Sequence, residues 1–255
     1  MEASRAPRPL LWQLALSHYS EKVRWALDHK RIEHRRRTSM PGVHIPIALW
    51  LTRGAGVTFP ILELDGDRID DSTAAIAALE RRFPEPPLYP AEPAERRRAL
   101  ALEEFFDEEL GPAARLLPLH ELREDPQLFG QFAALAVPAP LSHAKPLLAA
   151  YARLYTGTRF GTADPAAAAR ARGEVIGALD RVEAELAAGD GTHLVGTSFS
   201  VADLTAASMF SLLVLPAGGP LPRDLPLPAD LAAFREELQE RPGWRWVEET
   251  YRRHR

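Results

Sequence analysis

The sequence predicts an α/β domain followed by an all-helical one, and three observations predict it. Strand and helix signals alternate over the first third of the chain. A proline-dense stretch, "PEPPLYPAEPAE" (84–95), then interrupts every periodic pattern, and neither a helix interior nor a central strand accepts that proline density. Beyond it, helical spacing recurs in long stretches and few strand signals remain.

The elements follow in order. Leu10 to Leu16 is a compact apolar run, read as a buried strand. Tyr19, Val23, Ala26 and Leu27 fall at helical spacing after it. Residues 33–38 read as a polar strand, and an irregular stretch follows it. In "VTFPILELDGDRID" (57–70), two β-prone runs flank Asp65-Gly66, a dipeptide that favours a tight hairpin turn. "DSTAAIAALERRF" (71–83) has a capping residue, an Ala-rich interior and a basic end, the marks of a helix. After the break, helices are expected over about 95–117, 144–157, 165–188, 200–214 and 229–239. The domains are therefore placed at 8–84 and 95–255, with a linker at 85–94.

Composition narrows the function classes. With 255 residues, 46% hydrophobic and 26% charged, the chain can bury a sizeable core. It contains no cysteine, which excludes disulfides, thiolate metal sites and a thiol nucleophile owned by the protein. No apolar run reaches the roughly 18–20 residues of a membrane span. The start, "MEASRAPRPLLWQ", lacks the build of a signal peptide, so a cytoplasmic protein without membrane contact is expected. At a net charge of −4 the whole chain is no electrostatic trap for nucleic acid. The basic run "KRIEHRRR" (30–37) reads as a solvated edge strand, because charged side chains there discourage strand-to-strand pairing.

The residues that could carry chemistry begin with Ser17. The turn Ser17-His18-Tyr19-Ser20 has Cys-x-x-Cys spacing with a hydroxyl at each sulfur position. A serine between strand and helix is an N-cap. A helix N-terminus also stabilises an anion, so a bound thiol could be held there as its reactive thiolate. Both readings stand. Pro60 belongs at a strand start or edge, and on bond energetics alone Phe59–Pro60 is expected to be trans. Asp71-Ser72 is either a helix cap or a pair that grips an amino acid-like group, the serine on a carboxylate and the aspartate on an ammonium. In "FSVADL", Ser200 and Asp203 read as a structural capping box, with Phe199 and Leu204 as its hydrophobic staple. Phe105-Phe106 could be core or could line an apolar pocket. The eight histidines show no ligand spacing, so no metal is expected. Neither "GTSFS" nor "GAG" completes a nucleophile elbow or a dinucleotide loop.

Taken in order, "SHYSEKVRWAL", "VTFPILELDG", "RIDDST" and "FSVADLTAASM" resemble the soluble glutathione transferase family, in its bacterial serine-type, theta–zeta-like branch. The resemblance covers about residues 8–250. It implies the glutathione transferase fold: a thioredoxin-like glutathione-binding domain, a linker and an all-α domain. It implies that Ser17 hydrogen-bonds the cysteinyl sulfur of glutathione, with Tyr19 as the alternative donor. Phe59 would pair its backbone with that cysteinyl residue beside a cis Pro60. Asp71 and Ser72 would grip the γ-glutamyl end, and His44, with Arg53 as a looser candidate, the glycyl carboxylate. His18, Phe105 and Phe106 would line the acceptor pocket.

The activity so implied is addition of a thiol, glutathione as co-substrate or another small thiol, to a small electrophile by a cytoplasmic homodimer. A glutathione-dependent isomerase and a non-catalytic binding module are the alternatives. Phe59 replaces the commoner Val or Ile before the proline, and its bulk would reshape the thiol site. The usual Asn-Pro before the strand is missing, which leaves the glycyl end least defined.

Overall fold

The computed structural model describes residues 8–255 and divides at Pro87/Leu88 into two compact units. The first runs β1 (Leu10–Leu14), α1 (His18–His29), β2 (Arg35–Ser39), α2 (His44–Leu51), β3 (Ile61–Leu64), β4 (Asp67–Ile69) and α3 (Ser72–Arg82). Its four strands form one sheet in the order β2-β1-β3-β4, with β1 and β2 parallel and the other pairs antiparallel. This is the thioredoxin-like arrangement.

Alternation along β1 builds the two sides of the sheet. Trp12 and Leu14 pack on the cluster of Ala48, Leu51, Phe59 and Ile61 that seats α2. Leu11 and Leu62, opposite each other in the register, are fully buried, as are Val23, Trp25 and Leu27 of α1 and Ile76 and Leu79 of α3. The hairpin turn at Asp65-Gly66 has φ of 51° and 100°. Two successive positive φ values match the twist of the flanking strands, and glycine supplies the second at no steric cost. β2 is an edge strand with Arg35, Arg36 and Arg37 exposed, as the basic run suggested. The helix α2 lies inside the stretch expected to be irregular. Its sequence, "HIPIALWL", is apolar without periodicity, and Pro46 falls in its first turn, where no donor is lost.

The second unit is helical: α4 (Pro93–Phe105), α5 (Gly111–Leu122), α6 (Pro126–Ala134), α7 (Ala139–Ser142), α8 (Lys145–Phe160), α9 (Pro165–Ala188), α10 (Val201–Val214), α11 (Ala229–Leu238) and α12 (Pro242–His254). A π-helical turn over Phe106–Leu110 joins α4 to α5, so the helix expected over 95–117 runs longer and carries an extra residue in its ladder. Sequence periodicity passed over α6 and α12. Every residue of α10 but one is buried. An all-round apolar helix belongs at the centre of a bundle, and α10 packs against α4, α5 and α12. Among the described residues no helix is long and apolar enough to cross a membrane.

Candidate active site

Topology brings the singled-out residues of the first unit to one end of the sheet. β1 ends at Leu14 beside Ser39 of β2. Trp12 pairs with Ile61 at the start of β3, and Leu62 with Ile69 at the end of β4. The β1–α1 turn with Ser17, the entry to β3 with Phe59-Pro60 and the β4–α3 junction with Asp71-Ser72 therefore share that end. The chain also leaves β2 there toward His44.

Ser17 is the N-cap of α1, and its Oγ accepts the Ser20 N–H at 3.2 Å. Ser20 Oγ in turn accepts the Leu14 N–H at 3.3 Å, so both serine hydroxyls of the turn hold backbone. A hydroxyl that accepts through a lone pair still has its proton to donate. Capping and holding an anion are thus compatible in one side chain, and the cap bond narrows the directions in which the proton can be offered. His18 is buried and its ring lies 4.4 Å from that of the half-buried Tyr19.

The Phe59–Pro60 peptide is cis, as the resemblance implies and against the bare preference of an X-Pro bond. The Phe59 side chain turns into the α2 cluster, with ring centroids 6.2 Å from Trp12 and 5.6 Å from His44. Its bulk is thereby taken up by the core. The Phe59 carbonyl accepts the Thr58 hydroxyl at 3.3 Å.

His44 is the first residue of α2 and is buried, its Nδ1 accepting the Gly42 N–H at 3.1 Å. That bond fixes the tautomer with hydrogen on Nε2. Arg53 is exposed on the following loop, at φ 55°.

Asp71 caps α3 through Oδ1, which accepts the Ala74 N–H at 2.7 Å, and Ser72 beside it is buried. Lys22, fully buried in α1, donates from Nζ to Thr73 Oγ1 at 2.8 Å. The helix that Ser17 caps and the helix that Asp71 caps are thus tied by one side chain. Sequence reasoning missed Lys22, along with Gln13, Glu21 and Arg24, which are all buried. In a single sequence, charges on an amphipathic helix read as its solvated face.

In the helical unit, Phe106 is fully buried in the π-helical turn, which packs on α9 and α10. Phe105 is half-buried beneath the Arg181 guanidinium, 5.7 Å from its ring centroid. The capping box is present: Asp203 Oδ2 accepts the N–H and the hydroxyl of Ser200, both at 2.8 Å. Its Oδ1 takes the Leu194 N–H at 2.8 Å. Burial pushes the Asp203 carboxyl above its ordinary range, opposed by these bonds. Phe199 stacks on the His254 ring at 4.3 Å, a partner no local motif announces. Among the described residues no group of three or more His, Cys, Asp or Glu is placed to hold a metal.

A thioredoxin-like unit followed by an all-helical unit defines the class of two-domain fold to which the chain is assigned. Residues 11–87 match the glutathione S-transferase N-terminal domain and residues 165–245 the glutathione S-transferase C-terminal domain. The chain belongs to the glutathione S-transferase family and is a glutathione S-transferase-like enzyme.

Among solved structures, FzlA from C. crescentus is 24% identical, with a TM-score of 0.58 over 94% of this chain and 92% of that one. The beta-etherase LigF from Sphingobium sp. strain SYK-6 is 20% identical, with a TM-score of 0.60 over 95% and 99%. Maleylacetoacetate isomerase from Anaeromyxobacter dehalogenans 2CP-1, with glutathione bound in its active site, is 18% identical, with a TM-score of 0.54 over 95% and 89%. At these identities the likeness is one of fold. No curated protein matches the chain.

Proposed function

We propose that this chain is a serine-type glutathione transferase of the theta–zeta-like kind, which binds reduced glutathione in its first unit and adds the thiolate to a small electrophile. The observation that carries the reading is the shared sheet end, where Ser17, Phe59 and the Asp71-Ser72 pair come from three separate segments. Ser17 donates its hydroxyl proton to the cysteinyl sulfur while its oxygen keeps the Ser20 N–H. The N-terminus of α1 adds a favourable field for the thiolate. With the sulfur held as thiolate, the nucleophile exists before the electrophile arrives.

Asp71 and Ser72 take the ammonium and carboxylate of the γ-glutamyl group. The Phe59 backbone takes the cysteinyl backbone, and His44 through its Nε2 side, or Arg53, the glycyl carboxylate. His18 belongs to the acceptor side of the reading, with Tyr19 as the alternative thiol donor; Phe106, fully buried in the helical unit, is core instead. The protein acts as a cytoplasmic bacterial homodimer on small molecules.

Calorimetric titration with reduced glutathione tests this. Saturable binding that weakens about tenfold or more in Ser72→Ala is expected, the scale of a lost charge-assisted hydrogen bond. No binding of glutathione, or binding indifferent to Ser72, contradicts the reading. Product analysis then separates the branches, since an isomerase requires glutathione without consuming it.

A further inference from the structure

The buried charges beneath the β1–α1 turn form a clamp that the mechanism above does not use. The Arg24 guanidinium spreads three bonds over three consecutive pieces of chain. Nη1 donates to Gln13 Oε1 in β1 at 3.1 Å, Nη2 to the Ala15 carbonyl in the turn at 3.2 Å, and Nε to Glu21 Oε2 in α1 at 2.8 Å. Gln13 passes the connection on, its Nε2 donating to Thr38 Oγ1 of β2 at 3.0 Å. Gln13, Glu21 and Arg24 are 6%, 2% and 6% exposed.

Burying an ion pair costs several kcal/mol per ion, and apolar residues of similar volume often serve stability as well or better. The planar fork does something an apolar cluster cannot. It fixes the strand end, the turn and the first helical turn relative to one another in direction as well as distance. Ser17 lies two residues beyond Ala15. Its amide donates to the Leu14 carbonyl at 3.3 Å and its carbonyl accepts the Glu21 N–H at 2.8 Å. Residues that Arg24 grips thus flank the serine on both sides.

We infer that Arg24 is the positioning residue that sets the Ser17 hydroxyl, with Gln13 and Glu21 completing its seat. The inference rests on the reading of Ser17 as the group that holds the thiol. Arg24 touches neither thiol nor electrophile in this account. It acts through the turn, so its loss misdirects the hydroxyl proton while the γ-glutamyl grip of Asp71 and Ser72 stays in place.

The experiment uses the full chain saturated with reduced glutathione and reads the ultraviolet absorbance of the bound thiolate against pH. Calorimetric affinity and turnover of a chloronitrobenzene electrophile are measured alongside. Arg24→Lys keeps the charge and loses the fork. The expected result is glutathione affinity within about twofold of the parent, kcat lower by about tenfold with KM little changed, and a thiol pKa moved up toward that of free glutathione. In Ser17→Ala the same substitution is expected to add nothing, because both act through one hydroxyl.

Gln13→Met, which takes one partner from the fork and leaves the charge pair, gives the same shift in smaller measure and serves if Arg24→Lys unfolds. An unchanged thiol pKa in these variants, or an equal loss of kcat in the Ser17→Ala background, overturns the inference alone. Failure of the parent chain to bind glutathione, or a thiol that Ser17→Ala leaves unaltered, overturns the functional reading first and this inference with it.

Discussion

Lys22 in α1 and Thr73 in α3 are joined by a 2.8 Å bond from Nζ to Oγ1, with the lysine side chain wholly shielded from solvent. The bond crosses from the helix that Ser17 caps to the helix that Asp71 caps. Lys22→Met keeps the stem and removes the donor. It is expected to destabilise the protein by about 1.5–3 kcal/mol, the range for a hydrogen bond made by a charged group. Denaturant unfolding reads this directly, and glutathione affinity should fall with it because Thr73 adjoins Ser72. A variant as stable as the parent would show that the tie adds nothing to the fold.

Ser17 carries two separable roles. Ser17→Ala removes the acceptor of the Ser20 N–H and is expected to cost about 1 kcal/mol of stability, as an N-cap does. Turnover should fall far more, on the order of a hundredfold, while glutathione affinity changes little. Ser17→Thr should restore both. Tyr19→Phe separates the two candidate donors: near-parental kcat is expected, and a loss equal to that of Ser17→Ala would move the thiol contact to Tyr19.

The His254 ring, stacked on Phe199, gives the helical unit a pH dependence. Burial, then the His193 and Arg253 charges, hold its pKa below 6.5, with Glu249 opposing. The folded form therefore binds fewer protons here than the unfolded chain. Stability from this group is complete above about pH 6.5 and is lost as pH falls through the depressed value. Thermal melts from about pH 7 to pH 5 should show a falling Tm whose slope is reduced in His254→Gln. A slope unchanged by that substitution would assign it to other groups.

Gly130 lets α6 and α8 approach closely. A Cβ there would lie 2.6 Å from the Lys145 backbone carbonyl oxygen, and backbone cannot swing aside as a side chain can. Gly130→Ala is expected to cost about 1–3 kcal/mol in unfolding free energy, the usual range for overpacking. A neutral substitution would mean that the two helices slide apart freely.

How much of this was legible beforehand depended on how local each signal was. The Asp65-Gly66 hairpin, the Ser200–Asp203 box and the long helices α9 and α10 are written in neighbouring residues and were found where expected. α2 was not, because an apolar run with an early proline carries no periodicity. Ser17 and Asp71 were legible as caps, since capping needs only the adjacent turn. Gln13, Glu21, Lys22 and Arg24 were illegible because their burial depends on partners up to 51 residues away. The same holds for His254 on Phe199, 55 residues apart in the chain.

The central claim is that the Ser17 hydroxyl holds a bound thiol in its ionised form. Its most direct measurement is the pKa of that thiol, read from thiolate absorbance in the parent chain and in Ser17→Ala at saturating glutathione. A bound thiol well below the ~8.5 of an ordinary thiol, returning toward it in Ser17→Ala, is the expected result. A bound thiol that titrates like free glutathione in both proteins would contradict it.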